Sequence, residues 1–157
     1  QYALDAFKSV SENHPNARLL ICGEGELRVD VEKFISENKL ESKIHLAGFR
    51  NDIPNIMKTI DVLLTPSLWE GFGIVLIEAM ASGKPCIATN TSSIPEIVED
   101  GVNGSLVPSK DSQSIAESLT KLIADPQLVR TMGQAGITTV REKFTIDKMI
   151  KEYESIF

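Results

Sequence analysis

The chain has 157 residues, of which 42% are hydrophobic and 24% charged, enough for one domain with a sizeable core and ordinary for a soluble globular protein. A net charge of −6 and a pI near 5.0 argue against nucleic acid or an anionic membrane as the main ligand, while a local site can still hold a small anion. No stretch approaches the ~18 apolar residues of a membrane span. The two cysteines, Cys22 and Cys86, are too few for a disulfide framework, and each lies in an apolar strand-like run, the pattern of buried free thiols in a reducing compartment.

Tyr2, Ala3, Ala6, Phe7 and Val10 fall at helical spacing, and His14-Pro15-Asn16 closes that helix. The chain begins without Met, partway through this helix, and reads as cut from something longer. Arg18 to Cys22 is a short buried strand ended by Gly23-Glu24-Gly25, and Leu27, Val31, Phe34 and Ile35 trace a second helix. Lys43 to Ala47 is a strand stopped by Gly48. Asp52 is placed to cap a short helix with Pro54 near its first turn, running to about Thr59. Asp61 to Thr65 is the next strand.

After Gly83-Lys84-Pro85, the run Cys86 to Thr89 reads as strand, and a polar loop leads to a short helix over Pro95 to Glu99. Asp100 to Gly104 is a turn cluster and Ser105 to Val107 a last short strand. Ile115, Leu119, Leu122 and Ile123 stripe the following helix. Asp125-Pro126 caps the next one, and Thr145 a final segment with Ile146, Met149, Ile150 and Tyr153. The strands are continuous apolar runs that alternate with helices about five times, which predicts one α/β domain over residues 1–157 with a parallel sheet covered on both faces.

In such doubly wound sheets, ligands bind at the carboxyl ends of the strands. The richest turn there is Pro66 to Gly73, between the strand at Val62-Leu63-Leu64 and a helix over Ile74 to Ser82. Glycines let backbone approach a ligand, and the first helical amides point at it. Glu70 precedes the helix, and Glu78 lies more than one turn inside it. That spacing alone is a weak signal, since acidic proteins carry many surface Glu pairs. In context, phosphates can lie on the amides while a ribose diol reaches Glu78, because one carboxylate accepts two hydrogen bonds.

The run Pro66-Ser67-x-x-Glu70-Gly71-Phe72-Gly73-x-x-x-x-Glu78-Ala79-Met80-Ala81-x-Gly83-x-Pro85 resembles the signature of retaining glycosyltransferases of the GT-B fold, family 4 type. Gly23-Glu24-Gly25, Gly48-Phe49, Pro95-Glu96-Ile97-Val98 and Asp100-Gly101-x-Asn103-Gly104 extend the resemblance over nearly the whole chain. It implies the C-terminal, donor-binding half of a two-domain enzyme, a Rossmann-like doubly wound sheet with its first strand missing. It also implies roles. Glu78 would hold the ribose of a nucleotide sugar, and Glu70 the hydroxyls of the transferred sugar near the reacting carbon. The amides of Gly71, Phe72, Gly73 and Ile74 would hold the sugar and diphosphate. Phe49 and Arg50 would border the base, with Gly23 to Gly25 as its nearby wall; a solvated Arg50 is an equal alternative.

The resemblance implies no cofactor, since the nucleotide diphosphate sugar is a substrate, and no metal, as no Asp-x-Asp pair is present. It implies UDP as carrier, an acceptor bound by an absent N-terminal domain, and a cytoplasmic enzyme with peripheral association at the inner face of the membrane. The chain departs from the family in starting after the Gly-Arg and Lys that neutralise the diphosphate, and in carrying Asn90 to Ser93 where many relatives have a Gly pair. Rival functions are an epimerase or phosphorylase of the same fold and a non-catalytic sugar-nucleotide-binding domain. A nicotinamide enzyme is disfavoured because no Gly-x-Gly-x-x-Gly follows a strand. His14 and His45 lack ligand-spaced partners and read as structural or solvated, Ser67 as a brace of its loop, and Trp69 as either loop packing or the acceptor side.

Overall fold

A computed structural model of the chain describes residues 1–155. The order of elements is α1 (Tyr2–Asn13), β1 (Leu19–Cys22), α2 (Arg28–Glu37), β2 (Ile44–Gly48), α3 (Ile53–Thr59), β3 (Leu63–Thr65) and α4 (Ile74–Ala81). It continues with β4 (Cys86–Thr89), α5 (Ile94–Ile97), β5 (Gly104–Val107), α6 (Ser112–Ala124), α7 (Pro126–Lys143) and α8 (Ile146–Glu154). Strand and helix alternate as the apolar runs predict. The largest shifts are of two residues: β3 starts at Leu63, and α5 stops at Ile97, where Val98 already has extended backbone.

Every strand pairing is parallel, but the strands form two sheets instead of one: β1-β2 and β3-β4-β5. In the order 3-2-1-4-5-6 of doubly wound sheets, the first strand lies between the second and the fourth. Among the described residues no ladder joins β1 to β3, which is where the sequence reading expects that strand. The helix α1 spans the break. Leu4 and Phe7 pack with Ile35, Leu40 and Ile44 beside the smaller sheet, and Ala6 packs with Ile87, Val107 and Ile115 beside the larger.

β4 is the centre of the larger sheet, and all four of its residues are buried. Its side chains alternate between two cores, as the pleat requires. Cys86 and Ala88 meet Leu76, Ala79, Met80, Ile94 and Ile97 on one face, while Ile87 meets Ile115, Leu122 and Met132 on the other. Small residues bring α7 against α4. A Cβ on Gly133 would collide with the carbonyl of Gly83, and one on Gly136 would meet the Met80 Cγ at 3.1 Å. The helix that carries Glu78 is thus clamped from behind.

Asp125 accepts from the amides of Gln127 and Leu128 at 3.0 Å, and Thr145 from Lys148 at 3.3 Å, as predicted. Asp111 likewise caps α6 through the Ser114 amide at 3.0 Å. Three expectations need correction. Asp52 precedes α3 but makes no side-chain cap; its carboxylate lies instead in the fork of Arg50, both oxygens accepting at 2.8 Å. Leu27 is 67% exposed and sits just before α2, outside its apolar stripe. Cys22 is exposed, not buried: it ends β1, where the register slips so that it pairs with Gly48. Cys86 is buried as expected. The apolar face of α8, with Ile146, Met149, Ile150 and Tyr153, is exposed, and Phe157, in the same predicted segment, lies outside the described residues.

Candidate functional site

The chain leaves β3 at buried Thr65 and turns at Pro66 into the loop that ends at Gly73. Gly73 has φ 88° and ψ 46°, the left-handed conformation, and stands at the N-cap of α4. Ile74 and Val75 can then start a helix without the chain running into the sheet. No side chain caps α4; the Leu76 amide donates to the Gly73 carbonyl at 2.9 Å, which leaves the amides before it without a side-chain acceptor. Within α4, Leu76, Ala79 and Met80 face the core, which turns Glu78 outward, where it is exposed.

Glu70 is half-buried, and the Ser67 hydroxyl donates to its Oε2 at 3.3 Å. A Cβ built on Gly73 would lie 3.5 Å from the Cγ of Glu70 and 3.0 Å from the Cδ1 of Leu76, so loop and helix start are in contact. Around them, Trp69 (75% exposed), Ile74 (65%) and Phe72 (47%) form an apolar lip. The Phe72 ring also packs edge-on against Phe144, with centroids 6.1 Å apart, tying the lip to the end of α7.

A second group of motif residues lies on the smaller sheet. The Gly23 amide donates to the Gly48 carbonyl at 2.8 Å, which joins the Gly23-Glu24-Gly25 turn to Gly48-Phe49-Arg50. Phe49 is 79% exposed. The Arg50 fork is occupied by Asp52, whose carboxyl is held below the usual range by the guanidinium hydrogen bonds, which in turn hold the Arg50 pKa up. Arg50 is exposed, and its fork pairs with Asp52 at the surface. The neighbouring Cys22 thiol is pushed up by partial burial, against the pull of Arg50.

The sequence motifs thus fall into two groups, Glu70 to Glu78 on the edge of β3-β4 and Gly23, Gly25, Phe49 and Arg50 on the edge of β1-β2. Sequence reasoning missed the hydroxyls that hold the loop. Thr89, Thr91 and Ser93 donate to the carbonyls of Ser67, Leu68 and Glu70, in the segment where the family pattern is broken. It also missed Asn103, fully buried, which accepts from the Glu99 amide at 2.9 Å and donates to Ile97 O and Thr139 Oγ1; Asp-Gly-x-Asn-Gly was the available signal.

Among the described residues no group of three or more His, Cys, Asp or Glu is placed to hold a metal, and no helix is long and apolar enough to cross a membrane. His45 is exposed on β2 and His14 is half-buried. The groove between α1 and α6, lined by Asp5, Ser9, Gln113, Glu117 and Lys121, carries no motif residue.

The sequence profile of the family described as "Glycosyl transferases group 1" matches residues 1–139. The chain belongs to this family. It is 31% identical over 159 aligned residues to the Escherichia coli UDP-Gal:alpha-D-GlcNAc-diphosphoundecaprenol alpha-1,3-galactosyltransferase, an alignment that covers 99% of this chain and 41% of that protein. The chain thus spans about two fifths of the length of this curated relative. The solved structure of Anabaena HepE in complex with UDP superposes with a TM-score of 0.89 at 29% identity, over 99% of this chain and 44% of that one. The C-terminal domain of a glycosyl transferase group 1 family protein from Francisella tularensis superposes with a TM-score of 0.82 at 30% identity, over 92% of this chain and 78% of that one. This group 1 glycosyltransferase chain accordingly has the Rossmann-like C-terminal fold of the GT-B type.

Proposed function

We propose that the chain is the donor-binding half of a retaining glycosyltransferase, which passes a sugar from a UDP-sugar to a hydroxyl of a glycan or lipid-linked glycan. The observation that carries this reading is the uncapped start of α4, opened by Gly73 in the left-handed conformation with Glu70 before it and Glu78 within it. Glu78 accepts both hydroxyls of the ribose diol. The amides of Gly71, Phe72, Gly73 and Ile74 face the sugar and diphosphate. As the bond from the anomeric carbon to the β-phosphate oxygen breaks, negative charge grows on the departing UDP, and these fixed donors and the helix dipole stabilise it.

Glu70 binds hydroxyls of the transferred sugar beside the reacting carbon. Phe49 and Arg50 border the base, with Gly23 and Gly25 as its wall. UDP as carrier is supported by the likeness to HepE, solved with UDP, and by the UDP-Gal in the name of the E. coli relative. That same name supports a diphosphate-lipid-linked acceptor and hence a role in bacterial surface polysaccharide or O-antigen synthesis at the inner face of the membrane. The acceptor binds a separate N-terminal domain, and cations outside these residues neutralise the diphosphate. The 157-residue chain alone then binds UDP weakly and transfers nothing.

The test is Glu78→Ala in the full-length enzyme. Losing a charge-assisted pair of hydrogen bonds raises the donor KM by roughly ten- to a hundredfold. Unchanged donor kinetics would remove Glu78 from the site.

A further inference from the structure

Between β4 and α5, three hydroxyls at alternate positions grip one loop. Thr89 Oγ1 donates to the carbonyl of Ser67, Thr91 Oγ1 to that of Leu68 at 3.4 Å, and Ser93 Oγ to that of Glu70 at 3.3 Å. The gripping segment is itself firmly based. Thr89 is 1% exposed within β4 and Ile94 is fully buried. Asn90 N donates to Val107 O at 2.8 Å and Ile94 N to Thr91 O at 3.1 Å. Ser92, between two of the hydroxyls, has φ +50°, which bends the chain so that its neighbours on both sides reach the loop.

The C-terminal end of the gripped loop is packed, with Gly73 buried and Phe72 against Phe144, but its middle is not. Leu68 is 54% exposed and Trp69 75%, and residues 66–73 lie in no helix or strand. Placement of that middle therefore falls largely to these bonds. Two consequences follow from covalent geometry. A trans peptide sets the N–H antiparallel to the preceding carbonyl, so anchoring the Glu70 carbonyl on Ser93 turns the Gly71 N–H the other way. The Ser67 carbonyl is held by Thr89, and the Ser67 hydroxyl in turn donates to Glu70 Oε2 at 3.3 Å. One run of bonds thus connects the buried strand to the Glu70 carboxylate.

We propose that Thr89, Thr91 and Ser93 are positioning residues which set the Glu70 carboxylate and the Gly71 amide against the transferred sugar, an inference that rests on the donor-site reading above. They act through the loop, and so affect the sugar more than the nucleotide, whose ribose is held by Glu78 on the separately clamped α4.

The experiment compares Thr89→Val, which keeps shape without the hydroxyl, and Ser93→Ala with Thr89→Ser and Ser93→Thr, which keep it, in the full-length enzyme. Donors are UDP-glucose, UDP-galactose and UDP-N-acetylglucosamine, and UDP affinity is measured by calorimetry. Each hydroxyl deletion is expected to lower kcat about fivefold, to leave UDP affinity within about threefold, and to speed amide exchange at Leu68, Trp69 and Gly71. The hydroxyl-retaining variants recover both signals. The inference is overturned if Thr89→Val with Ser93→Ala keeps wild-type kcat and amide exchange, or if only the melting temperature falls. Glu78→Ala run alongside separates the two claims: wild-type UDP affinity there removes the donor reading itself, whereas weakened UDP binding beside a kinetically silent double variant removes only the positioning role.

Discussion

Gly73→Ala tests the turn that opens the site. The backbone there has φ 88° and ψ 46°, and an L-residue in the left-handed region costs about 1–2 kcal/mol. The new Cβ would lie 3.0 Å from Leu76 Cδ1, tighter than ordinary contact, and Leu76 is fully buried with little room to retreat. Its distances to Glu70 Cγ, 3.5 Å, and Ile97 Cδ1, 3.6 Å, are ordinary. Backbone and contact therefore both oppose Ala, and a loss of about 2 kcal/mol is expected, a fall in Tm of roughly 4–8 °C for a domain of this size. Urea unfolding of the chain measures the loss. Gly73→Asn separates the causes, because Asn tolerates this conformation while presenting the same Cβ; it should recover about half the loss. If Ala and Asn are equally destabilising, the contact with Leu76 is responsible and the backbone argument fails. If Ala is silent, Gly73 is not held as described.

Asn103→Ala removes a buried side chain that makes three hydrogen bonds and leaves the Glu99 amide without its partner, so unfolding free energy should fall by about 2–3 kcal/mol; a change under ~0.5 kcal/mol in a denaturant titration would contradict the pairing. With a thiol reagent, Cys22 should react in the folded chain and Cys86 only after denaturation, since Cys86 is buried with its pKa pushed up to about 12. Reaction at Cys22 should be slower at a given pH than for a free thiol, because its own pKa is raised; two thiols titrated without denaturant would refute this. Asp111 has a lowered pKa because Ser114 donates to it from both hydroxyl and amide. Its folded pKa lies below the unfolded one, so its stabilisation is present above the ordinary carboxylate range and lost as pH falls through the folded value. Asp111→Asn should flatten that acid limb of a stability-against-pH curve.

Local sequence determined the elements, because the causes are local. The apolar run Cys86 to Thr89, bounded by Pro85 and a polar loop, reads as a strand buried on both faces, and Asp125 before Pro126 signals a helix start. The candidate site was legible in the same way: two glycines at a strand-to-helix turn with carboxylates at Glu70 and Glu78 read as a donor site, the reading that Glu78→Ala tests. What needed the tertiary structure was every question of partner choice. Asp52 had the position of a cap, yet its carboxylate lies in the fork of Arg50 two residues earlier. Cys22 belonged to an apolar run, yet the register slip at the end of β1 leaves it exposed. The division into two sheets bridged by α1, and the reach of Thr89, Thr91 and Ser93 to carbonyls more than twenty residues earlier, arise from segments distant in sequence. A hydroxyl in a polar loop has many possible acceptors, and only the packing of β3 beside β4 decides which carbonyls come within its reach.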